Sequence, residues 1–386
     1  MKLITAERIH NGHEWLPTGA TIEVADDGTI AAVHNSPIEG AVRYDGVLAP
    51  GFVNVHCHLE LSHMRGVVPE RTGLIPFLKS IPQYRNDFTE EQKTEARHRA
   101  YHHMLNNGIV AVGDIANTAD TTDVRALGKM HFHTFVEALG FTPQNADRAF
   151  EYALMVYAAY AAQHGSDTLL RQSITPHAPY SVSDALFCLI DRHLPAAPIS
   201  IHNQESEEEN RFYTTGEGLV CELLQMMGID HSSFRPTGKP SLESYLQWMS
   251  KEHPFIFVHN TSSTEGDVRF AHTYAPYVHW CLCPNANLYI EGRLPDIDML
   301  IREGANLCIG TDSLASNHQL CVLSELCTIK THFPHLGWET LLQWGTANGA
   351  AALQMQDVVG TLAPGTRPGM IQIRGLETRP SVTRII

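Results

Sequence analysis

The sequence predicts an α/β fold: a (β/α)₈ TIM barrel carrying a small composite β-sandwich domain made from both chain ends. Three observations lead there. Short apolar runs recur eight times, at 52–56, 109–114, 133–138, 171–175, 198–202, 255–259, 278–283 and 306–311, with helical stretches between them. Several of these runs end in, or lead straight into, histidine or aspartate. The two ends of the chain carry β-like runs with no helices between them. A doubly wound sheet is the alternative, but no Gly-rich dinucleotide fingerprint follows the first run.

Composition narrows the class. The chain has 386 residues, 43% of them hydrophobic, and a formal net charge of −15. No stretch approaches the ~18 unbroken apolar residues of a membrane helix. With no Lys/Arg cluster, nucleic acid and anionic membranes are not expected partners. The opening MKLITAERIHNG lacks an apolar secretion core, so a cytoplasmic location is expected. Eight cysteines are dispersed and read as small buried hydrophobes, including the close pair Cys281 and Cys283. The chain holds 23 histidines. His98, His102 and His103 fall on an expected helix and read as surface.

In chain order, residues 1–49 show β-like runs at 2–4, 21–24 and 30–33, with turn signals at Asn11-Gly12, Asp27-Gly28 and Ser36-Pro37. Pro50-Gly51 punctuates the change to the barrel, expected over 50–357. The clearest helix is 89–107. Thr89 and Gln92 fit a capping box, Ala96, Ala100 and Met104 share a face, and Gly108 is the stop. Residues 206–248 are longer than a crossover needs and read as helices plus a substrate-covering loop. Short strands are expected again at 359–365 and 370–373. The expected second domain is therefore 1–49 plus 358–386.

The first apolar run ends in His56-Cys57-His58. Alternate side chains of a strand share a face, so the two imidazoles point together and Cys57 points away. That pair is half of a metal site. In a barrel, functional groups sit at the C-terminal strand ends. The fourth run leads into His177, the fifth ends in His202 with Asn203, Gln204 and Glu205 behind it, the sixth ends in His259, and the eighth leads into Asp312. Imidazoles and one carboxylate suit a borderline divalent ion, Zn²⁺ first and Fe²⁺ as the alternative. Such an ion brings the pKa of bound water to about 7. Asp312 can take the water's proton, and Glu205 can protonate a ring nitrogen as hydroxide attacks the adjacent carbon.

PGFVNVHCHLE, TPHAPYS, HNQE, VHN, CPNANLY and GTDSLASN occur in that order, and the chain resembles the amidohydrolase superfamily in its cytosine deaminase, guanine deaminase and chlorohydrolase branch. The resemblance implies metal ligands His56, His58, His202 and Asp312, and a water held by His259 and Asp312. It implies Glu205 as proton shuttle and His177 as a substrate-binding residue. In HNQE, relatives more often carry small or apolar residues at Asn203 and Gln204, which here orient neighbours or touch substrate. Binuclear members bridge their metals with a lysine on strand four. None of the seven lysines lies at the end of 171–175, which implies one metal ion per subunit.

The expected activity is hydrolytic removal of an exocyclic amino group from a purine, nucleoside-like or pterin ring. Chloride release from a triazine-like ring, and a non-enzymatic scaffold of the same fold, are the alternatives. The expected partners are the small heterocycle and, as an open alternative, a second copy in a homodimer. Glu60 is read either as an acceptor for a substrate hydroxyl or amine, or as a salt-bridged loop residue. His63 sits with it near the expected pocket rim. Arg235 and Lys239 could meet an anionic group or lie free in a loop. Ser313 and Asn317 are expected to shape the turn beside Asp312. No G-x-S-x-G elbow occurs, which argues against a serine hydrolase.

Overall fold

The computed structural model describes residues 1–163 and 168–386. Six strands come from the chain ends: β1 (Lys2–Ile9), β2 (Thr21–Val24), β3 (Ile30–His34) and β4 (Val42–Pro50), with β14 (Met370–Arg374) and β15 (Ser381–Arg384). Nine lie between them: β5 (Phe52–His58), β6 (Ile109–Ala116), β7 (His131–Ala138), β8 (Leu170–Pro176), β9 (Ile199–Asn203), β10 (Phe255–His259), β11 (Val278–Leu282), β12 (Leu307–Ile309) and β13 (Asp312–Ser313).

The middle strands form two parallel sheets, ordered β13-β5-β6-β7-β8 and β12-β11-β10-β9. Every residue of β5 is buried, as is every residue of β6 and of β10. Strands covered on both faces read as continuous apolar runs, which is why they stand out in the sequence. Gly310 and Thr311 alone separate β12 from β13. At the other side, His202 N donates to His177 O at 3.0 Å across β9 and the end of β8. Val53 and Val55 of one sheet share a buried apolar cluster with Ile256, Val258, Cys281 and Cys308 of the other.

The helix Glu90–Asn106 begins on the expected capping box. Gln92 N donates to Thr89 Oγ1 at 3.3 Å, and Thr89 N donates to Gln92 Oε1 at 2.8 Å. It stops at Gly108, whose φ is +76°. Over 206–248 the chain forms Glu207–Thr215, Leu219–Met226 and Ser241–Tyr245, helices joined by loops.

The end strands hydrogen-bond into one sheet, ordered β15-β14-β4-β1-β2-β3. Two of them, β4 and β15, lie outside the sequence reading. The strand expected over 359–365 is a turn. Gly360 and Gly365 take φ of +90° and +92°, values an extended strand does not use. Leu362 from that turn instead plugs the apolar cluster of Ile4, Ile22 and Leu48. Among the described residues, no helix is long and apolar enough to cross a membrane.

Candidate metal centre and cleft

The strand ends converge on one point. His58 Nε2 lies 3.1 Å from His56 Nε2 and 3.3 Å from His202 Nε2. Asp312 Oδ1 is 3.6 Å from His56 Nε2 and 3.4 Å from His58 Nε2. One ligand atom each from His56, His202, His259 and Asp312 lies within 4.8 Å of the others. All five side chains are buried. The backbone turns sharply to aim them: His259 has φ of +73° and Asp312 φ of +56°. Left-handed backbone at non-glycine residues carries strain and recurs at functional sites.

The donor set fits a divalent cation. Burial holds His58 at a pKa of about 3 and His259 at about 4, and keeps His202 well below the ordinary imidazole range. These rings are therefore neutral, with lone pairs on closely facing nitrogens. In His202, Nδ1 meets the His177 carbonyl at 2.8 Å, so its proton sits there and Nε2 is the free ligand atom. Burial opposes charge on Asp312, but His56, His58 and His259 outweigh it and hold the carboxyl well below its usual range. Neutral nitrogens around one carboxylate match the preferences of zinc and its neighbours.

A second layer fixes Asp312. Ser316 Oγ donates to its Oδ2 at 2.6 Å, and Ser313 Oγ lies 3.1 Å from Ser316 Oγ. Asn317 Nδ2 donates to Thr311 O at 2.8 Å. Asn54 of β5 donates to Thr311 Oγ1 at 2.8 Å and accepts from Thr311 N at 3.1 Å, tying the two ligand-bearing strands together.

Glu205 stands on the far side, with Oε1 3.7 Å from His259 Nε2. Burial first, then the Asp312 charge, push its pKa well above the ordinary carboxyl value. Both effects favour its protonated form. His177 is half-buried, with Nδ1 2.7 Å from Ser181 Oγ.

These groups line one wall of a cleft of about 400 Å³. The opposite wall is apolar. The helix Leu74–Tyr84 supplies Leu74, Phe77, Leu78 and Ile81, spaced to share one face, and the insertion supplies Leu223, Leu224, Met227 and Ile229. A second cavity of about 810 Å³ adjoins it.

Three of the expected substrate-binding residues face elsewhere. Glu60 is buried, 3.4 Å from Arg85 Nη2, and accepts from Asn117 N at 3.0 Å. Asn203 donates to Asn260 Oδ1 at 3.0 Å and accepts from Tyr245 OH at 2.9 Å. Gln204 donates to Asn210 Oδ1 at 3.1 Å and accepts from Ser263 at 2.6 Å. None of the three lines the cleft. His63 meets the Arg85 carbonyl at 3.2 Å. Arg235 donates to its own loop at Ser232 O, 2.8 Å, and Lys239 is exposed, 4.0 Å from Glu243.

Glu137 also reaches the site, and was not among the residues expected from the sequence. It lies one residue before the end of β7, is buried, and has Oε1 3.3 Å from His202 Nδ1. Its one signal is an acid inside the apolar run FVEA.

Residues 47–376 match the amidohydrolase family. The chain belongs to that family. This amidohydrolase is 25% identical over 391 residues to a 5-methylthioadenosine/S-adenosylhomocysteine deaminase of Saccharophagus degradans, covering 92% of this chain and 80% of the relative. It shares its fold with Helicobacter pylori aminofutalosine deaminase in complex with methylthio-coformycin, at a TM-score of 0.81 and 18% identity over 100% of both chains. It shares it too with a zinc-complexed atrazine chlorohydrolase of Arthrobacter aurescens, at a TM-score of 0.73 and 17% identity, covering 96% of this chain and 86% of that one.

Proposed function

We propose that this amidohydrolase hydrolyses the exocyclic amino group of an aminopurine nucleoside and releases ammonia. It is a hydrolase of C–N bonds outside peptides. The observation that carries the reading is the place of Glu205, a buried carboxyl 3.7 Å from His259 at the head of an apolar cleft. A flat heterocycle can slide between the apolar wall and the histidines, with a ring nitrogen beside Glu205. The deaminase relatives act on nucleoside-like rings of this kind.

His56, His58, His202 and Asp312 would hold one divalent ion, zinc by preference. That ion supplies a hydroxide nucleophile at neutral pH. Asp312 accepts the proton of the attacking water, and His259 orients it. Glu205 would give its proton to the ring nitrogen, the proton taken up by Asp312 would leave on the amine as ammonia, and Glu205 would regain a proton from the new hydroxyl as it becomes a carbonyl. His177 holds the substrate, and the leucine-rich wall excludes bulk water. No lysine stands at the end of β8 to bridge a second ion, which supports a single metal. The shared apolar cluster and the bonds joining the two parallel sheets support closure into an eight-stranded barrel over 50–357. Residues 1–49 and 358–386 would form its companion domain.

The test is ammonia release from a panel of 6-aminopurine nucleosides, with metal content measured on the same preparation. About one equivalent of metal and turnover on at least one nucleoside are expected. His202→Ala should lose most of that metal. A panel without ammonia release, or release of chloride alone from a chlorotriazine, would sink the reading.

A further inference from the structure

Glu205 and His259 face each other from two loops, the one after β9 and the one that ends β10. Neither loop leaves its strand on ordinary backbone. Gln204 has φ of +46°, His259 +73° and Asn260 +59°. Where the Glu205 carboxyl stands therefore depends on how these two turns are held, one against the other.

They are joined through Asn203 and Gln204, both fully buried and neither lining the cleft. Asn260 N donates to Asn203 O at 3.0 Å, and Ser262 N donates to Gln204 O at 2.8 Å. Side chains repeat the link. Asn203 Nδ2 donates to Asn260 Oδ1 at 3.0 Å, and Ser263 Oγ donates to Gln204 Oε1 at 2.6 Å. Gln204 also grips the insertion. Its N donates to Glu209 Oε1 at 2.9 Å, and its Nε2 donates to Asn210 Oδ1 at 3.1 Å. Ser241 shares both acceptors, donating from Oγ to Glu209 Oε1 at 2.5 Å and from N to Asn210 Oδ1 at 2.9 Å. Every polar atom of Gln204 thus has a partner. Glycine would take this left-handed backbone without strain and could keep both backbone bonds. What glutamine adds is a side-chain tie between the β10 loop and the helix Glu207–Thr215, placed immediately before Glu205.

We infer that Gln204 is a positioning residue for proton transfer: its amide, tied to Ser263 and Asn210, fixes the turn that presents the Glu205 carboxyl to the substrate. The inference rests on the deaminase reading. An acid transfers its proton only within hydrogen-bond reach of the acceptor. A misplacement of about 1 Å can cost roughly 10²-fold in rate. The ligand His202 is held within paired strands, opposite Val258 of β10. Loosening the turn beyond Asn203 therefore frees the acid and leaves the metal in place.

The experiment is a double-mutant cycle on metal-loaded enzyme: wild type, Gln204→Gly, Glu205→Gln and the two together. Metal content and ammonia release from a 6-aminopurine nucleoside are measured on each preparation. Gln204→Gly should hold wild-type metal and lose roughly 10²-fold in kcat, with KM within about twofold of wild type. In the Glu205→Gln background the same change should cost less than about twofold, because the group it positions can no longer give a proton. A merely structural role makes the two losses multiply, and that result overturns the proposal. So does a Gln204→Gly enzyme with wild-type kcat. If Gln204→Gly loses metal, Ser263→Ala decides, since it deletes one donor from a partly exposed hydroxyl. It should lower the wild-type kcat by about tenfold, the worth of one hydrogen bond, and leave Glu205→Gln unchanged. No loss in the wild type, or an equal loss in both backgrounds, overturns the assignment. A wild type that releases no ammonia from any 6-aminopurine nucleoside overturns the deaminase reading, and this role with it.

Discussion

Glu205→Gln keeps the shape of the side chain and removes the proton it can transfer. Metal content should stay at the wild-type level while ammonia release falls by ~10²–10⁴, the usual loss for a general acid–base. Retained turnover would take Glu205 out of the mechanism. Ser316→Ala tests the layer behind the ligands. The Ser316 hydroxyl bonds Asp312 Oδ2 at 2.6 Å. Its removal should weaken metal affinity by about 10- to 100-fold, read by competition with a chelator. The five converging side chains were legible because each ends, or directly follows, an apolar run. Glu137 was not, since one acid in a buried strand shows no partner until folding brings its carboxylate to His202 at the end of β9. Ser316 was passed over for Ser313, its neighbour in the turn, because sequence does not say which hydroxyl faces a carboxylate.

Helix ends and strand edges set the larger frame. Gly108 closes the helix Glu90–Asn106 and opens β6. A Cβ there would lie 2.4 Å from Ile371 Cγ2 of β14, on backbone that L residues avoid. Gly108→Ala should lower the unfolding free energy by about 2 kcal/mol or more, measured by urea denaturation. An unchanged midpoint would show that β14 yields without cost. Buried strands of the parallel sheets and the capped helix were plain from periodicity and caps. β4 was not. Its first half, Val42-Arg43-Tyr44-Asp45-Gly46, is polar and largely exposed, and its pairing with β1 and β14 is long-range. Such strands are decided by partners rather than by local pattern. The turn at 359–365 misled for the opposite reason: its Val359 and Leu362 are apolar for burial in separate clusters, not for a strand face.

At the scale of the whole molecule, buried titratable groups set the pH response. Burial holds His133 at a pKa of about 3, and His10 and His131 at about 4. Unfolded, each returns to about 6.5. Between these values the unfolded chain binds more protons, so their contribution to stability is complete above about 6.5 and is lost as pH falls. Burial works oppositely on carboxyls: Asp114 and Glu209 are raised to about 7. They bind protons in the folded state, and their contribution is lost as pH rises toward 7. His133→Gln isolates one term. Its deficit in Tm relative to the wild type should shrink between pH 7 and pH 5, because only the wild type carries a histidine that acid penalises. A constant deficit would show that His133 does not titrate in this range.

The sheet built from both ends of the chain also bears on synthesis. Gln372 donates to the Asp45 carbonyl across 327 residues of sequence. On the ribosome, β4 emerges long before its antiparallel partner β14. Throughout that interval one edge of β4 stands open, an invitation to pair with another nascent chain. The charges and the glycine in its first half, which hide the strand from the sequence reader, also make it a poor template during the wait.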